Sequence, residues 1–187
     1  MSQRNAVYSG VVVEPRDPKR RGRVRVSVPE LDEEVWARRA TLDAGHERGT
    51  WFVPDGGDEV LVAFENGDPR KPVVVGALWG STQRPPENKP DRALVRTKHG
   101  ATVVLDDGAG GIEVSDVHGN TVKLAAEGVT VTSASKLRVK ASIVEIEAGA
   151  LKVDAAVSEF SGVVQCDALA AESVVASGYT PGSGNAQ

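Results

Sequence analysis

The chain of 187 residues has one cysteine, one methionine and an aromatic content of 4%. The lone Cys166 excludes an intramolecular disulfide, and it gives no metal cluster. His46, His99 and His118 each stand in or beside a glycine-containing turn, and none has the spacing of HxH or HExxH. So few aromatics argue against a bulky globular core and fit thin β layers better. There is no 18-residue apolar run and no basic-then-apolar leader. Neither a membrane span nor a signal peptide is therefore expected, and synthesis in the cytoplasm is. The net charge of −4 contains no strongly basic block, so nucleic acid finds no electrostatic attraction. No phosphate loop, GxGxxG or nucleophile elbow is present, and we expect no catalytic, cofactor or metal residue.

What the chain does have is an apolar pair repeated from His99 to about Ser177. The pairs are Val103/Leu105, Ile112/Val114, Val122/Leu124, Val129/Val131, Leu137/Val139, Val144/Ile146 and Leu151/Val153, with first members 9, 10, 7, 8, 7 and 7 residues apart. Within a pair the spacing is two, the period of a strand, and Glu113, Lys123, Thr130, Arg138, Glu145 and Lys152 turn to the opposite face. Gly-, Asn- and Ser-containing turns separate the pairs. Each pair is therefore predicted to be one short half-buried strand, and the series a β-solenoid or an intertwined β-prism. A single chain is poorly served by such a design. Burying a Val or Leu yields about 1.5–3 kcal/mol, whereas ordering each residue costs about 1–2 kcal/mol of backbone entropy. Partner chains must close the core and pair the strand edges.

Before the repeats, residues 6–78 read as about five strands with their own turns. Val24, Val26 and Val28 share one face, as do Val60, Val62 and Phe64. Strands are expected at Ala6–Glu14, Arg23–Val28, Val35–Leu42, Glu59–Glu65 and Pro72–Leu78, with Asp43–Gly49 a loop. Asn66-Gly67-Asp68-Pro69 is a strong turn signal. Five strands in so short a span suggest a small Greek-key barrel of the OB type.

The run Arg48-Gly49-Thr50-Trp51-Phe52-Val53-Pro54, followed by Gly57-Asp58-Glu59-Val60-Leu61-Val62-Ala63-Phe64-Glu65-Asn66-Gly67-Asp68-Pro69-Arg70-Lys71-Pro72 and Val75-Gly76-Ala77-Leu78-Trp79, closely resembles the OB domain of contractile-injection-system spike proteins. Those include phage baseplate assembly protein V and the valine-glycine-repeat spikes. Gly10-Val11-Val12-Val13, Asp17-Pro18 and Gly22-Arg23-Val24-Arg25-Val26 are similar to that family too. The resemblance implies an all-β protein: an N-terminal OB-fold collar over residues 1–79, a Pro-rich linker over 80–92, a trimeric intertwined β-helix or β-prism needle over 93–177, and a flexible tail over 178–187. It implies a homotrimeric structural spike, not an enzyme, that adapts tube to tip and pierces an envelope mechanically. Its implied partners are a baseplate hub protein, the tube protein and a PAAR-type tip protein, with the target envelope touched only on puncture.

Candidate hub or subunit contacts are Trp51, Trp79, Arg20 and Arg21, the arginines belonging to a cluster with Arg16, Lys19, Arg23 and Arg25. The apolar pairs from Val103/Leu105 to Leu151/Val153 are the candidate trimer core. The end of the needle, with Val174, Val175 and Tyr179, is the candidate docking point for a tip protein. A carbohydrate-binding or carbohydrate-cleaving tail protein is the competing expectation. Glu145 and Glu147 share a strand face there, but no pocket-forming aromatics surround them.

Overall fold

The computed structural model describes residues 6–178. They fall into two units, one reaching Leu137 and one starting at Arg138, so the division lies within the stretch read above as a single needle.

In the first unit the early strands are β1 (Tyr8–Glu14), β2 (Val24–Val28), β3 (Glu33–Arg39), β4 (Ala44–Gly45), β5 (Arg48–Gly49), β6 (Glu59–Phe64) and β7 (Pro72–Ala77). Five of them close into a barrel in the order β1-β2-β3-β7-β6. Neighbours are antiparallel except β3 and β7, which run parallel through Arg38 beside Val73 and Arg39 beside Val74. The core is Val12, Val24, Val26, Val28, Ala37, Val60, Val62, Phe64 and Val74. Short branched side chains suit so narrow an interior and also favour the strand backbone. Tyr8 caps one side edge-on to Phe64, with ring centroids 5.7 Å apart. At Gly10 the barrel wall is so tight that a Cβ would stand 2.5 Å from Val26 Cγ1 and 2.9 Å from the Ser27 carbonyl oxygen.

Two expectations need correction here. The third strand begins at Glu33 and stops at Arg39, because it takes its register from β2 through Val28 opposite Glu33. The loop expected at Asp43–Gly49 is a small hairpin, β4 against β5. It closes through the Thr50 N–H donating to the Asp43 carbonyl at 3.0 Å and through contact of the Thr41 and Thr50 hydroxyls. The Asn66-Gly67 turn forms as read, with both residues at positive φ, 52° and 71°.

Residues 80–91 contain no strand, yet they are tied down. Gln83 Nε2 donates to the Gly57 carbonyl at 2.6 Å, and the Asp107 N–H donates to the Asp91 carbonyl at 2.9 Å. Arg92 already belongs to β8, and its guanidinium reaches both Asp106 and Glu87.

A second sheet follows, made of β8 (Arg92–Arg96), β9 (Thr102–Asp106), β10 (Gly111–Ser115), β11 (Thr121–Ala125) and β12 (Gly128–Thr132). It is an antiparallel meander with neighbours in sequence order. Its turns are held by carboxylates. Asp116 accepts the N–H groups of His118 and Asn120 at 2.8 and 2.9 Å, and Asp106 accepts that of Ala109 at 2.8 Å.

After Thr132 no further strand is formed among the described residues. This corrects the reading of Leu137/Val139, Val144/Ile146 and Leu151/Val153 as half-buried strands within the chain: these six side chains are 61–70% exposed. The sequence still alternates there, but an extended segment becomes a strand only when a neighbour supplies the ladder, and the described residues supply none.

Candidate assembly interface

The registers of the second sheet place its apolar side chains in two straight rows. Ala93, Leu105, Ile112, Leu124 and Val129 stand opposite one another in turn across the five strands. Val95, Val103, Val114, Val122 and Val131 form the parallel row. Because the strand period is two, all ten lie on one face, while Leu94, Val104, Glu113, Lys123 and Thr130 lie on the other. Among the described residues no further strand covers the ten-residue face. From Val103 to Val131 its members are 38–68% exposed, against 0–7% in the barrel core. A continuous uncovered apolar face of this kind marks an interface. The pairs named from the sequence thus come together as far as Val131, and those from Leu137 to Val153 lie outside the sheet. Ala93 and Val95 were not named, although they alternate with Leu94 and Arg96 in the same way.

The second surface is an open cleft of about 1060 Å³ beside the barrel, lined by Arg16, Arg20, Arg21, Arg48, Trp51 and Lys98 among others. Its rim is organised by Asp17. This carboxylate, with a side chain 3% exposed, takes two bonds from the Arg23 guanidinium at 2.9 and 3.0 Å. It also accepts the N–H groups of Lys19 and Arg21, both at 2.9 Å. The loop read as merely polar is therefore fixed, with Arg20 held at a φ of 54° and Arg20 and Arg21 exposed. Trp51 is 71% exposed and lies under Arg39, whose guanidinium carbon is 4.7 Å from the ring centroid. Arg39 in turn donates to the carbonyls of Gly22 at 2.9 Å and Phe52 at 2.7 Å. The sequence reading missed Arg39 and Asp17. Asp17-Pro18 ahead of a basic run was the only available hint, and Arg39 acts through a fold contact that no local pattern encodes.

Two carboxylates of the barrel make its acid stability specific. The Arg23 guanidinium foremost, aided by backbone N–H groups, holds Asp17 far below the usual carboxylate range. Hydrogen bonds from the Arg70 side chain and backbone lower Asp68 to about 2. Both groups are depressed on folding, so their contributions are complete above the ordinary value of 3.8 and disappear as pH falls through the folded values. Thermal melts should show no loss from these groups between about pH 7 and 5 and a progressive loss below about pH 4. Asp17→Asn should lower stability at neutral pH and flatten that acid limb; a limb unchanged by the substitution would refute the assignment.

The remaining candidates are scattered. Trp79 is 68% exposed, just beyond β7. Val174 and Val175 are 64% and 99% exposed in the second unit, and Tyr179 lies outside the described residues. Glu145 and Glu147 are exposed in the same unit. Among the described residues no group of three metal-ligating side chains occurs, and no helix is long and apolar enough to cross a membrane.

A closed five-stranded barrel, followed by a sheet with an exposed apolar face, defines an all-β assembly protein. Residues 8–79 match the family described as the type VI secretion system/phage-baseplate injector OB domain, and residues 92–152 match the phage baseplate V C-terminal trimerisation domain. The chain belongs to this family of contractile-injection spike proteins. Among curated proteins it is similar to the type VI secretion system spike protein VgrG3 of Vibrio cholerae serotype O1, 33% identical over 87 residues. It is also similar to the spike protein VgrG2a of Pseudomonas aeruginosa, 36% identical over 84 residues. The actin cross-linking toxin VgrG1 of Vibrio cholerae is 31% identical over 87 residues. Each alignment covers 41% of this chain but only 8–10% of the relative, so the chain spans a small part of their length.

Proposed function

We propose that three copies of this chain form the spike of a contractile injection machine, with the barrels as a collar over residues 1–79 and residues 93–177 as a needle beyond a linker at 80–92. The observation that carries this reading is the coincidence of two independent facts. The ten-residue apolar face is left exposed among the described residues, and it lies wholly within the segment that matches a trimerisation domain. Three such sheets packed face inward bury the rows and continue into residues 137–153, whose exposed apolar pairs gain both a core and ladder partners from the other chains. Stiffness follows from closure, since no edge is left to slip and no subunit can unravel alone.

The role is mechanical and not enzymatic: the rigid trimer is driven through a target envelope. The collar adapts a tube protein to the point, and its surface meets a baseplate hub protein. The basic cleft with Arg20, Arg21 and Trp51 is the collar surface best suited to an acidic partner, and Trp79 is the second anchor. A PAAR-type tip protein would sit at the far end, near Val174 and Val175. Nucleic acid is not a partner, given the net charge of −4. The carbohydrate reading gains no support, because Glu145 and Glu147 are exposed and none of the three relatives is named for carbohydrate. Sedimentation of the purified chain tests the proposal: an elongated trimer is expected, and a monomer contradicts it.

A further inference from the structure

Residues 137–160 repeat every seven positions. Val139, Ile146, Val153 and Phe160 hold one place of the repeat, and Leu137, Val144 and Leu151 hold another. A third place is held in succession by Arg138, Glu145, Lys152 and Glu159, so the sign of the charge reverses at every repeat. All four side chains are exposed. In an extended chain they point away from the face that carries the apolar pairs.

The two kinds of column carry different information. A slip of one residue between chains is blocked by the apolar pattern, because it would turn the whole set outward. A slip of one full repeat is resisted far less that way, since Val meets Ile or Leu at each repeat short of Phe160. Along that stretch the charges distinguish it. When three chains wind about a common axis, the symmetry carries a repeat onto its equivalents on the other faces. Its lateral neighbour on its own face is then the preceding or following repeat of another chain. In that arrangement Arg138 of one copy lies beside Glu145 of the next, Glu145 beside Lys152, and Lys152 beside Glu159. Shifting one chain by one repeat sets like charges side by side, which is unfavourable for facing strands. The second sheet already uses opposite charges in this way, with Glu113 directly across from Lys123.

We propose that Arg138, Glu145, Lys152 and Glu159 form a charge ladder that sets the register of the needle, its occupant being the same column of a second copy of this chain. The inference rests on the three-chain reading above. Its test compares three full-length proteins by light scattering and thermal melting at low salt: the parent, an all-acidic column made by Arg138→Glu with Lys152→Glu, and a fully inverted column made by Arg138→Glu, Glu145→Lys, Lys152→Glu and Glu159→Lys. The all-acidic protein should dissociate at a midpoint about 5 °C or more below the parent, with the gap narrowing as salt screens the charges. The inverted protein should regain most of that loss. Equal midpoints for all three, or an inverted column as weak as the all-acidic one, would overturn the ladder while leaving the trimer intact. A monomeric parent would instead overturn the trimer reading, and the ladder with it.

Discussion

Leu105→Asp combined with Val122→Asp should convert the assembled protein to single chains while leaving the barrel folded. The two residues sit in different rows and on strands separated by β10, so the new carboxylates do not oppose each other directly. In the isolated chain the sites are 47% and 38% exposed, and a charge there costs little. Packed inside three sheets, each carboxylate would lose its water without gaining a partner, a penalty of several kcal/mol per ion and repeated in every chain. Size-exclusion chromatography with light scattering measures the outcome, and far-UV circular dichroism confirms the retained barrel. Glu113→Ser, on the opposite face of the same sheet, should leave the mass unchanged. A double Asp variant that stays assembled would place the interface elsewhere.

That apolar face shows how far the sequence could be read. The pairs from Val103 to Val131 were legible because strand alternation survives any uncertainty about loops, and the registers then aligned them in two rows. The same alternation at Leu137 to Val153 was equally clear, yet the strands do not form in the chain. Periodicity says which way side chains point, whereas a ladder needs a neighbour. The barrel was legible for the same reason as the first rows, with Val24, Val26 and Val28 fully buried as their spacing required. Its loops were not. Asp17 fixes the basic loop through groups up to six residues away, and Arg39 reaches Gly22, Phe52 and Trp51 only once the barrel has closed.

Gly10→Ala should damage the core of the collar. The added methyl would meet the branched Val26 side chain at 2.5 Å and a backbone carbonyl at 2.9 Å, and neither belongs to a flexible chain end that could swing aside. Relief requires β1 and β2 to part, which disturbs the core around Val12 and Val26. Overpacking of this kind costs about 1–3 kcal/mol. The midpoint of urea denaturation should fall accordingly. Gly76→Ala is the control, because nothing lies within 4 Å of its Cβ position, and its effect should stay within about 0.5 kcal/mol. Equal effects at the two sites would contradict the close approach at Gly10.

The first of these results bears on the central claim, that the apolar face of this chain is covered only when three copies assemble. Sedimentation velocity on the intact chain at micromolar concentration tests it most directly, because one run reports mass and shape together. A single species of three chain masses, with the high frictional ratio of an elongated particle, is the expected result. A compact species of one chain mass would contradict it.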